Sequence, residues 1–409
     1  MRVIEKHNSL FMFILSFSYF FGFYSVVSML PLILSEKIVM SLFLVVIMYS
    51  SRYLANFIYS GFFLNLAKKI NVKLSLLFGI SSLIASFLII FNFRYVPVII
   101  FAFGMIGFAS GLSELKLVNT SQKYGQTGVS SYYTGFFLGL FLSILSSGFI
   151  LNKFGLIYLI FTSTFFFMIS FVFAIFIDTE KNNINLNYLI RTNIVKDNID
   201  ALKYLKNKMF YIFFVKMICE GFNSLKDLFI PLILVEVFMK SKVEVSVFLA
   251  MILIPAIMVQ KYLDKILKYI PPVFFLGGHK RRVMSLALFL LFISSIMISF
   301  TSNLYALLAL LFIAVFSYSI ITPTLNLVLI SHYSDEIAEE SSLLQISSSL
   351  GKLFLTIISL LIIVFFKKMQ YVFLIPAVLF LVLLLYLIID TIKEGKTEKI
   401  ESILKNYIK

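Results

Sequence analysis

One stretch of the chain sets basic, acidic and amide side chains at a single helical spacing. Lys216, Glu220, Asn223 and Asp227 stand at i, i+4, i+7 and i+11. On a helix of 3.6 residues per turn they form one polar stripe. A carboxylate in such a stripe can take up and release a proton, while a lysine and an amide can hold an anionic group. The plainer alternative is that Lys216 and Glu220 neutralise each other one turn apart. Arg52 stands beside Ser50, Ser51 and Tyr53 in an otherwise apolar segment. A planar guanidinium clamps carboxylates and phosphates; its competing role is an ion pair with Glu220 or Asp227. Lys352 follows the small polar run Ser347-Ser348-Ser349 and Gly351. It is a candidate for substrate contact or for pairing with Glu114, which shares a helical face with Gly107, Ser110 and Gly111. The substrate-binding candidates are therefore Arg52, Lys216, Glu220, Asn223 and Lys352. The proton-coupling candidates are Glu114, Glu220 and Asp227. Tyr19, Tyr24 and Tyr318 are candidate lining residues.

The elements that must hold these side chains are apolar. Of 409 residues, 60% are hydrophobic and 13% charged, and the mean hydropathy is +1.00. Soluble domains typically have about 45–50% apolar and about 25% charged residues, so a soluble enzyme, a nucleic-acid-binding protein and a disordered chain are all excluded. Apolar residues run continuously instead of alternating, which excludes a membrane β-barrel. Twelve segments can each span a bilayer as a helix: 9–34, 38–66, 72–92, 95–118, 129–151, 155–177, 209–235, 243–268, 281–301, 304–330, 343–366 and 370–390. Ionisable residues within them are expected to face a cavity or a partner. No phosphate-cradling loop, ATPase motif or hydrolase triad is visible. His7, His279 and His332 have no metal-ligand spacing, and Cys219 stands alone, so neither cofactor nor metal is expected.

The net charge of +15 follows from topology. With the N-terminus inside, the inner termini and loops hold 24 Lys and Arg and the outer loops 7. The positive-inside rule then puts both termini in the cytoplasm, and the first apolar stretch is expected to be retained. The division is into a bundle at 1–177, a cytoplasmic central loop at 178–208, a second bundle at 209–391 and a tail at 392–409. The central loop contains a candidate amphipathic helix with Ile199, Leu202 and Leu205 on one side, and the tail has a similar pattern. Both are expected to lie on anionic lipid.

The two bundles share sequence. Pro31-Leu-Ile-Leu-Ser-Glu36 matches Pro231-Leu-Ile-Leu-Val-Glu236, and Ile80-Ser-Ser with Ser86-Phe87 matches Ile293-Ser-Ser with Ser299-Phe300. Because first segments match seventh and third match ninth, the repeats are parallel, six spans each. Their axis lies along the membrane normal, a geometry found in one large class of secondary transporter.

With these features the chain resembles the major facilitator superfamily over its whole length. That family carries a loop between spans 2 and 3 reading Gly-x-Leu-Ala-Asp-Arg-x-Gly-Arg-Arg. Here Leu66-Ala67-Lys68-Lys69-Ile70-Asn71-Val72-Lys73 is similar to its latter part. Asn71 stands for glycine and Lys68 for the acid. Leu263-Asp264-Lys265 is the second-half version and keeps the acid. Lys68, Lys69, Asn71, Lys73, Asp264 and Lys265 are thus the candidate gating residues. The small residues of span 5, Gly135, Gly139, Ser146, Ser147 and Gly148, are similar to the family's close-packing span.

The resemblance implies an all-α integral membrane fold of twelve helices in two parallel repeats. Spans 1, 4, 7 and 10 would line a cavity with help from 2, 5, 8 and 11, leaving 3, 6, 9 and 12 peripheral. It also implies secondary or facilitative transport of a small solute by a monomeric, multi-pass protein of the cell membrane. The excess of basic core residues leans toward an anionic or zwitterionic organic substrate, with protons as candidate coupling ions. Nucleic acid is not expected as a partner. The alternatives are a polytopic membrane enzyme or lipid-handling protein, for which Asp335, Glu336, Glu339 and Glu340 are the acidic candidates, and a non-transporting sensor with a transporter fold.

Overall fold

The computed structural model describes residues 2–37, 42–62, 72–92, 95–177, 210–259, 279–332 and 337–389, and all regular structure among them is helical. In the first half, span 1 is Arg2–Val27 continued by Leu30–Lys37, followed by span 2 (Leu42–Phe62), span 3 (Val72–Asn92), span 4 (Val96–Lys123), span 5 (Gly125–Lys153) and span 6 (Leu156–Ile175). In the second half, span 7 is Phe210–Glu236, span 8 begins as Lys242–Met251, span 9 is His279–Phe300, span 10 is Leu304–His332 and span 11 is Ile337–Phe366. Span 12 enters through a 3₁₀ turn, Met369–Phe373, and continues as helix over 374–389. Among the described residues, eleven helices are long and apolar enough to cross a membrane. The remaining one, span 7, has 27 residues and carries Lys216, Glu220, Lys226 and Asp227. The central loop, the tail, the acidic pair Asp335-Glu336, and the loop residues Lys68, Lys69, Asn71, Asp264 and Lys265 lie outside the described residues. Lys73 sits in the first turn of span 3.

Packing repeats between the halves. Span 1 packs on spans 5 and 6, and span 7 on span 11 and the start of span 12. Span 3 packs on span 4 as span 9 packs on span 10. The halves meet where span 2 contacts span 11 and where span 8 contacts span 5. Adding six to each member of the first pair gives the second, with span 11 mapping to span 5. These contacts give the two parallel six-helix repeats that the offsets predict.

The peripheral helices show which surface meets lipid. Span 6 buries Leu159, Ile160, Ser163, Phe167, Ser170 and Ala174, one stripe at helical spacing. Its opposite face exposes Phe161, Phe165 and Met168, at 63%, 63% and 50%. An outward face this apolar is stable only in a non-aqueous solvent. Lipid tails give no hydrophobic drive for one helix to prefer another, so close approach does the work. Ser163 on span 6 donates its hydroxyl to the carbonyl of Gly22 on span 1 at 2.5 Å. A Cβ at Gly351 would stand 1.8 Å from the carbonyl oxygen of Met217, and one at Gly107 would stand 1.9 Å from that of Arg52. The backbones of spans 7 and 11, and of 2 and 4, touch at these two points.

Two spans break at cavity depth, each one turn ahead of a proline. Span 1 is interrupted at Ser28–Met29 and span 8 at Ile252–Leu253. Pro31 and Pro255 lack the N–H that would bond the carbonyls of Val27 and Met251. The hydroxyl of Tyr49 reaches across from span 2 to the Val27 carbonyl at 3.3 Å. Pro231 lies within span 7, whose helix continues to Glu236.

Glycine substitutions test this packing. Gly351→Ala forces backbone apart and should cost at least the ~1–3 kcal/mol of ordinary overpacking, read as a lower melting temperature of the detergent-purified protein. Gly104 has no atom within 4 Å of a built Cβ, so Gly104→Ala should be neutral or stabilising by about 0.5–1 kcal/mol.

Candidate functional site

A cavity of about 100 Å³ lies between the halves. Spans 1 and 2 bring Tyr24, Tyr49, Arg52 and Tyr53 to it; spans 7, 10 and 11 bring Asn223, Lys226, Asp227, Tyr318 and Lys352. Spans 5 and 8 supply apolar walls that include Phe136, Phe137 and Leu253. No residue of spans 3, 6, 9 or 12 lines it, as the sequence implies. Span 4, expected among the central helices, contributes no lining residue either. Its close contact with span 2 at Gly107 sets it one layer behind.

Glu220 is the most heavily engaged side chain near the cavity. It is 5% exposed and accepts hydrogen bonds from Lys216 Nζ at 2.6 Å and Tyr318 Oη at 2.8 Å. Lys352 Nζ lies 3.2 Å from its other oxygen. Three elements, spans 7, 10 and 11, are thereby tied to one carboxylate. The mutual neutralisation of Lys216 and Glu220 is present, and a second cation is added to it. Lys352 pairs with Glu220, not with Glu114 as the sequence allowed. Glu114 has no ion-pair or hydrogen-bond partner among the described residues and lies outside the cavity lining.

Arg52 behaves differently. Its guanidinium lies 5.1 Å from the ring centre of Phe23 and 5.5 Å from that of Tyr53. Stacking on aromatic faces stabilises a cation by about 0.5–2 kcal/mol but satisfies none of its five N–H donors. No carboxylate among the described residues lies within ion-pair distance of it, so the anticipated bridge to Glu220 or Asp227 is absent. The reason is spatial: Glu220 is engaged behind Tyr318 and Lys352, and Asp227 is paired with its neighbour Lys226 at 3.0 Å.

A buried bond fixes where two of these cations stand. Ser349 of span 11 donates its hydroxyl to Oδ1 of Asn56 on span 2 at 2.8 Å. Arg52 is one turn before Asn56, and Lys352 is one turn after Ser349. Spans 2 and 11 run antiparallel, so both cations lie on the same side of that bond, one from each half. Like charges brought to one level favour an anion between them.

Of the residues singled out in the sequence, Arg52, Asn223, Asp227 and Lys352 reach the cavity, as do Tyr24 and Tyr318. Lys216 and Glu220 support it from behind. Tyr19 is fully buried and packs against Phe20, Phe23 and Phe167. Sequence reasoning passed over Tyr49 and Asn56, although each is about one turn from Arg52, and noted Tyr53 only as its neighbour. It also passed over Phe136 and Phe137, which look like any lipid-facing pair until span 5 is placed.

The family model for the Major Facilitator Superfamily matches residues 276–407. No curated protein matches the chain in sequence. Among solved structures, the nucleoside transporter NupG superposes with a TM-score of 0.69 at 15% identity, covering 94% of this chain and 99% of its own. A peptide transporter, POT, in complex with alafosfalin gives 0.70 at 13%, covering 95% of each chain. The human organic anion transporter MFSD10 gives 0.62 at 14%, covering 94% of this chain and 99% of its own. The family model thus covers about a third of the chain, its C-terminal part, while the fold over the whole chain is the one these transporters share. Its eleven long apolar helices among the described residues make it a multi-pass membrane protein.

The Glu220 network predicts a charge-removal penalty. Glu220→Gln leaves Lys216 and Lys352 without their counter-charge and should destabilise the protein by about 3–5 kcal/mol. Adding Lys216→Met to that variant should recover part of the loss, measured by thermal denaturation in detergent.

Proposed function

We propose that the protein carries a small anionic or zwitterionic organic solute across the cell membrane by alternating access. The observation that carries this reading is Arg52, a cation facing the cavity with no carboxylate partner among the described residues. A site built this way is incomplete until a ligand supplies the negative charge. The anionic group would lie between Arg52 of the first half and Lys352 of the second. It would offset the repulsion between them and let the halves close on it. Asn223 would add an amide contact. One of the fold neighbours is named for organic anions, which agrees with this charge class.

The moving bodies in this reading are residues 1–177 and 209–391, with both termini in the cytoplasm and the chain acting as a monomer. Broken helices at Pro31 and Pro255 offer points of bending at the depth of the site. If transport is coupled to protons, Glu114 fits the coupling role better than the other two carboxylates. Glu220 is held by two lysines and a tyrosine, and Asp227 by Lys226, whereas Glu114 makes no hydrogen bond or ion pair among the described residues.

Two measurements in proteoliposomes test the proposal, using uptake of a panel of small carboxylates and zwitterions. Arg52→Gln should lower uptake about 10- to 100-fold, the value of a hydrogen-bonded charge, without preventing membrane insertion. Undiminished uptake would remove Arg52 from the site. Glu114→Gln should flatten the dependence of uptake on the pH gradient while leaving counterflow exchange intact. An unchanged pH dependence would remove Glu114 from the coupling role.

A further inference from the structure

We propose that Asp227 makes this site select zwitterions over plain anions, with Arg52 taking the carboxylate of the ligand and Asp227 its ammonium group. The inference rests on the anion-binding reading of Arg52 and adds the second pole.

Asp227 is the one carboxylate among the residues lining the cavity. Its side chain is 44% exposed, whereas that of its partner Lys226 is 7% exposed. Lys226, buried and lining the same cavity, lies 3.0 Å from one oxygen of Asp227. The other oxygen has no partner among the described residues. Asp227 therefore presents an open acceptor to the same space that Arg52 faces with open donors. The two come from opposite halves and are not within ion-pair distance of each other, so each charge is only partly satisfied while the cavity is empty.

This arrangement discriminates by charge pattern. A monoanion that reaches Arg52 also meets the field of Asp227 across the small cavity. A monocation that reaches Asp227 meets Arg52, Lys226 and Lys352. A ligand bearing both charges a few ångströms apart satisfies both poles. The remaining walls, Phe136, Phe137, Leu140 and Leu253, leave an apolar surface for a compact substituent. The ligand class is thus a small amino carboxylate with an apolar side group. Because its two charges engage different halves, the same ligand ties the halves together.

The test uses the full chain in detergent and matched probes that differ only in charge. One set is leucine, 4-methylpentanoate and 3-methylbutylamine; a smaller set is alanine, propionate and ethylamine. Affinity is read by thermal shift titration. Wild type should bind the zwitterion of at least one set 10-fold or more tightly than its monoanion, and the amine not at all. Asp227→Asn should erase that preference by weakening the zwitterion and strengthening the monoanion. Asp227→Glu should keep it. Arg52→Gln should lose both carboxylate ligands. Equal wild-type affinity for zwitterion and monoanion would overturn the role of Asp227 while leaving Arg52 as the anion anchor, and it is decisive without any variant. Failure of every carboxylate to bind wild type would overturn the anchor itself and this inference with it.

Discussion

A charge in hydrocarbon needs either a counter-charge or a water-accessible space, and this requirement organises the molecule. Inserting a lysine, arginine or aspartate at the middle of a membrane helix costs about 2.5–3.5 kcal/mol. The chain carries several such residues at mid-depth, too many to leave facing lipid. Arg52, Lys226, Asp227 and Lys352 reach the inter-half cavity, and Lys216 and Glu220 pair close to it. Helices with no ionisable residue in their cores, such as span 6, take the perimeter and turn Phe161 and Phe165 to the lipid. The inward set and the outward set are thus sorted by solvation before any detail of packing is decided.

The two repeats share this plan and solve it with different chemistry. In the second half, Glu220 gathers Lys216, Lys352 and Tyr318 into a closed network. Spans 7, 10 and 11 are joined as one piece, and Gly351 lets two of their backbones meet. The first half has no equivalent network among the described residues. Its cavity-lining cation, Arg52, rests on Phe23 and Tyr53, and its helices are held by aromatic contacts and by glycines 135 and 139 against span 1. The second half closes a network around Glu220, and the first half brings Arg52 to the space between.

Contacts across the halves are few in kind. They combine small or polar groups, Ser349 with Asn56 and Gly148 close to Ser246 and to the backbone of Lys242, with one apolar cluster of Phe137, Ala256 and Val315. A hydrogen bond contributes about 1 kcal/mol net, and close helix approach adds dispersion without interlocked side chains. The seams are smaller than the buried aromatic packing inside each half. The cavity lies where these seams leave space, and its charged lining comes from both sides. A ligand there is in a position to bias the equilibrium between arrangements of the two bodies.

Much of this was legible in the chain. Continuous apolar runs determined helices as the spanning structure, because a bilayer offers backbone groups no partner but their own helix. The matching Pro31 and Pro231 segments determined the parallel repeat. The absence of charges from the cores of spans 3, 6, 9 and 12 agreed with the perimeter that the resemblance implied, and the lone Arg52 marked a helix that faces the cavity. Tertiary structure decided the partners. Glu220 could have paired with Lys216, with Arg52 or with substrate, and spacing along one helix cannot choose among groups carried by others. That Lys352 joins Glu220 instead of Glu114, that Asp227 faces the cavity with one oxygen open, and that Asn56 meets Ser349 all depend on how spans from different halves lie against each other. Those distances are set by glycine contacts and helix breaks several residues away from the charges, and local sequence does not encode them.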